Sequence, residues 1–135
     1  MTYDIEEIEG IGETYGNKLR LQGVVKTADL LEKAGTKKGR IKLAQDAGLP
    51  ESLILTWVNH ADLMRLNGIG GQFAELLEAA GVDSVRELAH RNPENLHLKL
   101  AETNEKVGLA GRIPSIEAIK HMIEQAASME TAVFH

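Results

Sequence analysis

The sequence contains no cysteine, which excludes disulfide bonds, thiolate metal sites and a cysteine nucleophile. It also lacks an export signal, because the first nine residues include Asp4, Glu6, Glu7 and Glu9 where a secretory signal needs a basic start and an apolar stretch. No apolar run approaches the roughly 20 residues that a membrane-spanning helix needs. We therefore expect a cytoplasmic protein with no membrane partner.

Aromatic residues are scarce, with two Phe, two Tyr and one Trp in 135 residues. The core must then be built from Leu, Ile, Val and Ala, which suits packed helices better than an aromatic-rich β-sandwich. The hydrophobic fraction of 43% is too high for intrinsic disorder, so the chain should fold as one domain or two small ones sharing a core. We predict an all-α fold.

An internal repeat relates the two halves of the chain at an offset of 58 residues. The segment 8–31, IEGIGETYGNKLRLQGVVKTADLL, aligns without a gap on 66–89, LNGIGGQFAELLEAAGVDSVRELA. Each copy has Gly-Ile-Gly, a helical pattern and then Gly-Val. Because Gly tolerates positive φ and close backbone approach, Gly-Ile-Gly predicts a tight hairpin whose central Ile enters the core. We predict one repeat over 1–64 and another over 65–135, packed as one compact unit.

Further helices are predicted from their start signals. Thr27 caps one, and Ser84 with Glu87 forms the capping box of its counterpart. Asn92 followed by Pro begins another, and residues 51–64 and 116–127 are predicted as a long amphipathic helix at the end of each half. The spacing around Gly48 is loosely that of a helix-turn-helix, which we interpret as ordinary helix packing. We predict Trp57 as a core residue.

A short helix, Gly-hydrophobic-Gly and a second helix resemble the helix-hairpin-helix module of DNA repair proteins, ligases and polymerases. Nearly the whole chain is similar to an uncharacterised bacterial family of duplicated helix-hairpin-helix proteins, a domain of unknown function. The resemblance is carried by TWVNHADLMRLNGIGGQFAELLEAAGVDSVRELAHRNPENL at 56–96 and EGIGETYGNKLRLQGV at 9–24. It implies an all-α fold of two tandem helix-hairpin-helix repeats with helical extensions.

The resemblance also implies that hairpin backbone amides contact a DNA phosphate without reading sequence, consistent with the affinity of helix N-termini for anions. The contact loops would be Gly10, Ile11 and Gly12, and Gly68, Ile69 and Gly70. Relatives often have a base just after the hairpin, so we expect Gly71→Lys to be tolerated and to strengthen DNA binding. Gly70 is expected to require positive φ or close approach, so Gly70→Val should destabilise the fold.

Positive charge is concentrated in the first half, although the whole chain has a formal charge of −5. Residues 15–45 contain eight basic and two acidic residues, a local charge of +6, whereas the corresponding stretch 73–103 has three basic and six acidic residues, or −3. Only the first half is suited to phosphates, although solvated surface lysines are the equally common alternative. The predicted side-chain contacts are Lys18, Lys37, Lys38, Arg40 and Lys42.

Two functions are consistent with the sequence. One is non-enzymatic, sequence-independent binding of a DNA or RNA backbone through the hairpin amides and the basic first half. The alternative is a protein-interaction scaffold that docks a partner on acidic second-half surfaces or on the apolar region of Met122, Ile123, Val133 and Phe134.

No catalytic motif or cofactor site is identified in the sequence. Glu117 and His121 stand four residues apart on one predicted helix, but a third metal ligand is not identifiable. Hairpins of the type that the chain resembles can hold a monovalent cation through backbone carbonyls. We therefore predict a protein that is not an enzyme and has no cofactor beyond such a cation.

Overall fold

The computed structural model describes residues 2–109 and 111–135. Within these residues the chain forms eight α-helices: α1 Glu13–Leu21, α2 Thr27–Ala34, α3 Lys37–Ala47, α4 Glu51–Leu63, α5 Gly71–Ala79, α6 Val85–Leu88, α7 Pro93–Val107 and α8 Ile116–Ala127. A 3₁₀ turn, Ile5–Glu7, precedes them, and the described residues contain only one isolated β-bridge, between Asp4 and Lys26. The predicted all-α class is confirmed. None of the helices in the described ranges is long and apolar enough to span a membrane.

The two Gly-Ile-Gly hairpins have nearly the same backbone conformation. Gly10 and Gly68 both have positive φ, at 88° and 83°. Gly12 and Gly70 are both extended, with φ of −89° and −94°, and each precedes the first residue of a helix. The Ile between the glycines is buried in both hairpins. Each hairpin therefore turns the chain into a helix while its Ile packs in the core, as the pattern predicts.

The helices that follow the hairpins also end alike. Gly23 and Gly81 have φ of 80° and 95°, the left-handed conformation that favours glycine after a helix. The N–H of the residue after each glycine donates to a carbonyl of the preceding helix. Val24 donates to Leu19 at 3.0 Å, and Val82 donates to Leu77 at 2.8 Å. Beyond this point the halves differ, because α2 has eight residues and α6 has four.

Most of the predicted helix starts are confirmed by their caps. The side chain of Asn92 accepts a hydrogen bond at the start of α7, Ser115 does so at the start of α8, and Ser84 accepts from the Glu87 N–H at 3.1 Å. Thr27 is an exception: it is the first residue of α2 and not its cap. Its hydroxyl instead accepts from the Tyr3 N–H at 3.0 Å, because the N-terminal segment pairs with the chain there.

Helix α4 is the centre of the molecule and packs on α2, α3 and α5. Every residue from Trp57 to Met64 is buried. The Trp57 ring lies 5.2 Å from that of Tyr15 between centroids, so Trp57 is a core residue as predicted. The second half of α4 is thus enclosed by the protein, whereas Glu51 and Ser52 at its start are exposed.

The polar residues of α4 hold other segments against it. The buried His60 lies 3.2 Å from Glu78 of α5 through its Nε2, and Asn59 Oδ1 lies 2.9 Å from His135 Nε2. Such pairs are required because a buried polar group without a partner is costly. These contacts therefore fix α5 and the C-terminus relative to α4.

Asp62 is the buried carboxylate of α4. Its Oδ2 accepts from the Val85 N–H at 2.8 Å, and its Oδ1 lies 3.1 Å from Arg65 Nε. Burial raises the pKa of Asp62, while the Val85 N–H and the Arg65 guanidinium act in the opposite direction. Asp62 thereby joins the start of α6 to the end of α4.

The last six residues, 130–135, form an extended C-terminal strap that crosses back from α8 to the first half. Both terminal nitrogens of Arg65 donate to the Glu130 carbonyl, at 2.9 and 2.8 Å. The Phe134 N–H donates to the Gly35 carbonyl at 2.8 Å, and Val133 is buried. The strap therefore ties the second half to the α2–α3 turn.

Gly71, the first residue of α5, lies directly against the 3₁₀ turn. A Cβ built on Gly71 would overlap the Glu7 carbonyl oxygen and approach the Glu9 side chain. At Gly70, by contrast, φ is negative and a Cβ would meet no atom within 4 Å. The expectations for the two glycines are therefore wrong. A side chain at position 71 would collide with the Glu7 main chain, whereas position 70 has room for one and an ordinary φ.

We predict that Gly71→Ala destabilises the protein by about 1 to 3 kcal/mol, because its methyl group must displace the Glu7 backbone. Gly70→Ala is the matched control and should change stability by less than about 0.5 kcal/mol. Urea unfolding measures both. Equal stability of the two variants would contradict the contact between α5 and the 3₁₀ turn.

Asp29 stabilises the start of α2, because its Oδ2 accepts from the N–H groups of Val25 and Lys26 at 3.0 and 2.9 Å. The hydrogen bond from the Lys26 N–H, then that from Val25, holds the pKa of Asp29 below its ordinary 3.8. A carboxylate with a lowered folded pKa stabilises the fold above its unfolded pKa. This contribution is lost as pH falls through the folded value.

We predict that Asp29→Asn lowers the free energy of unfolding by roughly 1 kcal/mol at neutral pH. The difference from the unmodified protein should shrink at acidic pH, as the carboxyl becomes protonated in the folded state too. Urea unfolding at the two pH values measures it, with Glu32→Gln on the same helix as control. A difference that is independent of pH would contradict the role of the carboxylate.

Candidate nucleic-acid interface

The hairpin amides predicted to contact phosphate are only partly open to a ligand. The Ile11 N–H donates to the Ile8 carbonyl at 3.1 Å, and the Ile69 N–H donates to the Leu66 carbonyl at 3.3 Å. Both Ile side chains lie in the core. The central residue of each hairpin is therefore engaged within the fold.

The second hairpin is held between two other segments. The Asn67 N–H donates to Gln125 Oε1 of α8 at 3.1 Å, and another α8 side chain lies close to Gly68. Gly71, at the other end of the hairpin, contacts the main chain of Glu7. These contacts place the second hairpin at a joint between α8 and the 3₁₀ turn.

The first hairpin is more open but lies among acidic residues. Gly10 and Gly12 are exposed, and a Cβ at either would meet no atom within 4 Å. No side chain caps the first turn of α1. However, the exposed carboxylates of Glu9 and Glu13 stand on either side of the hairpin and repel an incoming phosphate.

Arg40, one of the five predicted basic contacts, lies in the interior with a relative exposure of 3%. Its guanidinium donates to the carbonyls of Ala34, Gly35 and Phe134 at 3.2, 3.0 and 2.9 Å. Burial lowers its pKa, and the Glu51 carboxylate acts in the opposite direction. Arg40 is therefore a structural link between the end of α2, α3 and the strap, and we correct its assignment as a phosphate contact.

A groove with two lysines lies where the ends of α1 and α2 meet α3. It has a volume of about 70 Å³, and we call it the basic groove; its lining residues are Gln22, Lys33, Gly39, Lys42, Leu43 and Asp46. Two lysines and a glutamine from three helix segments therefore line one groove. Gln22 and Lys33 were absent from the predicted contacts, although each lies close in sequence to the glycine that follows its helix.

The basic groove also contains a carboxylate. Lys42 Nζ lies 3.0 Å from Asp46 Oδ2, and Gln22 Nε2 donates to the Asp46 carbonyl at 3.2 Å. The Lys42 side chain is 76% exposed, and exposed ion pairs of this kind contribute little. A phosphate can therefore displace Asp46 from Lys42 at small cost.

The remaining predicted lysines divide between the two sides of this region. Lys38 lies one turn before Lys42 on α3, and Lys18 lies one turn before Gln22 on α1, so both extend the basic groove. Lys37 is about 140° around α3 from Lys42 and faces another direction. Helix geometry therefore places Lys38 next to Lys42 and Lys18 next to Gln22, and it places Lys37 apart.

The basic groove and the first hairpin are at opposite ends of α1. The helix has nine residues, which corresponds to about 12 Å along its axis. The hairpin end is acidic, whereas the groove end is basic. The hairpin amides and the lysines therefore form two separate surfaces rather than one.

The apolar region predicted as a protein-docking surface is mostly part of the core. Val133 is buried, and Met122 and Ile123 are half-buried against the core. Phe134 alone of the four is largely exposed, at 57%.

In the described ranges, no group of three or more His, Asp or Glu residues is arranged to hold a metal ion, and this includes the surroundings of Glu117 and His121.

We predict that Arg40→Met lowers the free energy of unfolding by about 1 to 3 kcal/mol, because three carbonyls lose their donor. Lys38→Met, on the exposed side of the same helix, should change it by less than about 0.5 kcal/mol. Amide hydrogen exchange at Phe134 should accelerate only in the Arg40 variant, since the strap is then loosened. Unchanged exchange would contradict the link.

Comparison with known proteins identifies a family but no characterised relative. No curated protein and no solved structure matches the chain. A family described as Domain of unknown function (DUF4332) matches residues 9–129, from the first hairpin to the end of α8 and just beyond. Because the match covers both hairpins and all eight helices of the described residues, the chain belongs to this family of uncharacterised domains.

Proposed function

We propose that this protein binds nucleic-acid backbones, DNA first among them, without catalysis, and that the basic groove is its phosphate-contacting surface. One observation carries the proposal: Lys33 and Lys42 reach a single groove from different helices, in a chain whose net charge is negative. Lysines of a purely solvated surface need not converge. Two lysines and an amide side chain around one groove are a set of donors suited to an oxyanion.

The chemistry of the groove predicts binding that does not depend on base sequence. Ammonium groups contact phosphates, which are the same at every nucleotide, and release the counterions condensed on the strand. Lys18 and Lys38 extend the positive region beyond the groove, so more than one phosphate can be contacted. Affinity should therefore decrease steeply as salt concentration rises.

We further infer that the two hairpins and their helices form a tandem helix-hairpin-helix repeat over 1–64 and 65–135. Matching φ values at Gly10 and Gly68, and at Gly23 and Gly81, support this inference. In this protein the hairpins act mainly in folding, since both central Ile residues are buried and Gly71 packs on the 3₁₀ turn. The proposed phosphate contact therefore lies at the basic groove, and the hairpin amides are at most a secondary contact.

The acidic part of the protein limits where a bound nucleic acid can lie. Residues 15–45 have a charge of +6, so the other residues together have −11. A polyanion is attracted to the first region and repelled by the second. We expect the nucleic acid to lie across α1 and α3 and not across α7 and α8.

We predict that replacing Lys33, Lys38 and Lys42 together with Gln weakens binding to a random-sequence duplex by at least about ten-fold at low salt. The slope of log affinity against log salt concentration should become shallower by roughly 2 to 3, since up to three phosphate contacts are removed. Fluorescence anisotropy across a salt series measures both quantities.

The matched control replaces Lys99, Lys106 and Lys120 with Gln, because these exposed second-half lysines give the same change in net charge. We expect this control to bind nearly as well as the unmodified protein. Equal weakening in the two variants would show that only net charge matters. Absence of binding to duplex and single-stranded DNA even at low salt would refute the proposed function.

A further inference from the structure

Leu21 is an exposed apolar residue beside the basic groove. Its relative exposure is 83%, the highest among the large hydrophobic residues in the described ranges. It is the last residue of α1 and directly precedes Gln22, which lines the groove. Val25, four residues later, is 43% exposed. A small apolar projection therefore stands next to the proposed phosphate contacts.

The backbone that presents Leu21 is firmly held. The N–H groups of Gln22 and Val24 donate to the Leu19 carbonyl at 2.9 and 3.0 Å, and Gly23 donates to Arg20 at 2.9 Å. Leu19 and Val24 are fully buried. Leu21 is thus fixed at its main chain while its side chain points away from the core, so little backbone entropy is lost when that side chain is buried by a partner.

The second half shows that this position does not need a large side chain for folding. Ala79 occupies the equivalent place, and the helix end that follows has the same left-handed glycine and the same hydrogen bond. Ala79 is exposed, and its neighbours Glu78 and Asp83 are acidic. The fold therefore accepts alanine here, and the leucine stands in the half of the chain whose nearby charged residues are mainly basic.

Charge complementarity indicates the partner of this projection. Lys18 lies one turn before Leu21 on the same side of α1, Lys26 follows it in sequence, and the basic groove adjoins it. A membrane surface needs a broad apolar helix face, whereas Leu21 and Val25 are only two residues. A base step in a nucleic acid offers a narrow apolar gap between two rows of phosphates and fits this arrangement better.

We propose that Leu21 inserts into a base step of the DNA whose phosphates the basic groove holds. The proposal rests on the proposed function. Insertion of an aliphatic side chain partly unstacks the step and bends the duplex, at least cost at flexible pyrimidine–purine steps. The protein would then favour deformable sites although it reads no base edge.

The test compares Leu21→Ala with Leu98→Ala, a control at an exposed leucine of α7. The probe is a duplex with 2-aminopurine at a central TA step, whose fluorescence rises on unstacking. The unmodified protein and the control should raise the fluorescence on binding. Leu21→Ala should not, and its affinity should be about ten-fold lower with an unchanged salt slope, because an apolar contact and no phosphate contact is removed.

The outcomes separate insertion from backbone binding. If the unmodified protein binds without a rise in fluorescence, or if Leu21→Ala behaves like the control, insertion is wrong and the basic groove proposal stands. If no DNA is bound, both are wrong. Vesicles of phosphatidylserine and phosphatidylcholine are titrated in parallel. Vesicle binding that requires Leu21, without DNA binding, would identify an anionic membrane as the partner and overturn the insertion.

Discussion

The burial of the last two turns of α4, residues 57–63, is the constraint on which the rest of the structure depends. A helical segment without a solvent face is stable only when other elements surround it, and α4 contacts them through polar as well as apolar side chains. His60 holds α5, Asp62 holds the start of α6, and Asn59 holds the end of the strap. Both halves of the chain are therefore organised around one helix that belongs to the first.

This arrangement explains why the hairpins and the lysines form separate surfaces. The packing around α4 brings Gly71 onto the 3₁₀ turn, which places the second hairpin close to the acidic N-terminal segment. The same packing directs the other end of α1 toward α3, where Lys42 and Lys33 meet. The acidic and basic ends are thus about 12 Å apart along α1, and the polyanion-binding surface proposed here is at the basic end.

The candidate site was partly accessible from sequence. The charge of residues 15–45 points to the region that contains the basic groove, and the predicted Lys42 lines that groove. Arg40, in contrast, is buried and donates to the carbonyls of Gly35 and Phe134. A count of basic residues cannot distinguish such a structural arginine from a surface one. The exposed Leu21 was equally hidden, since in sequence it is one more apolar residue of an amphipathic helix.

The sequence by itself determined the helical class, most helix starts and the glycine turns, because φ preferences and capping hydrogen bonds depend on residues close along the chain. Contacts between distant segments were decided only by the tertiary structure. Arg40 and Phe134 are 94 residues apart, and Gly71 meets Glu7 across the two halves. Burial and close approach depend on which segments the core brings together, and no local pattern encodes that.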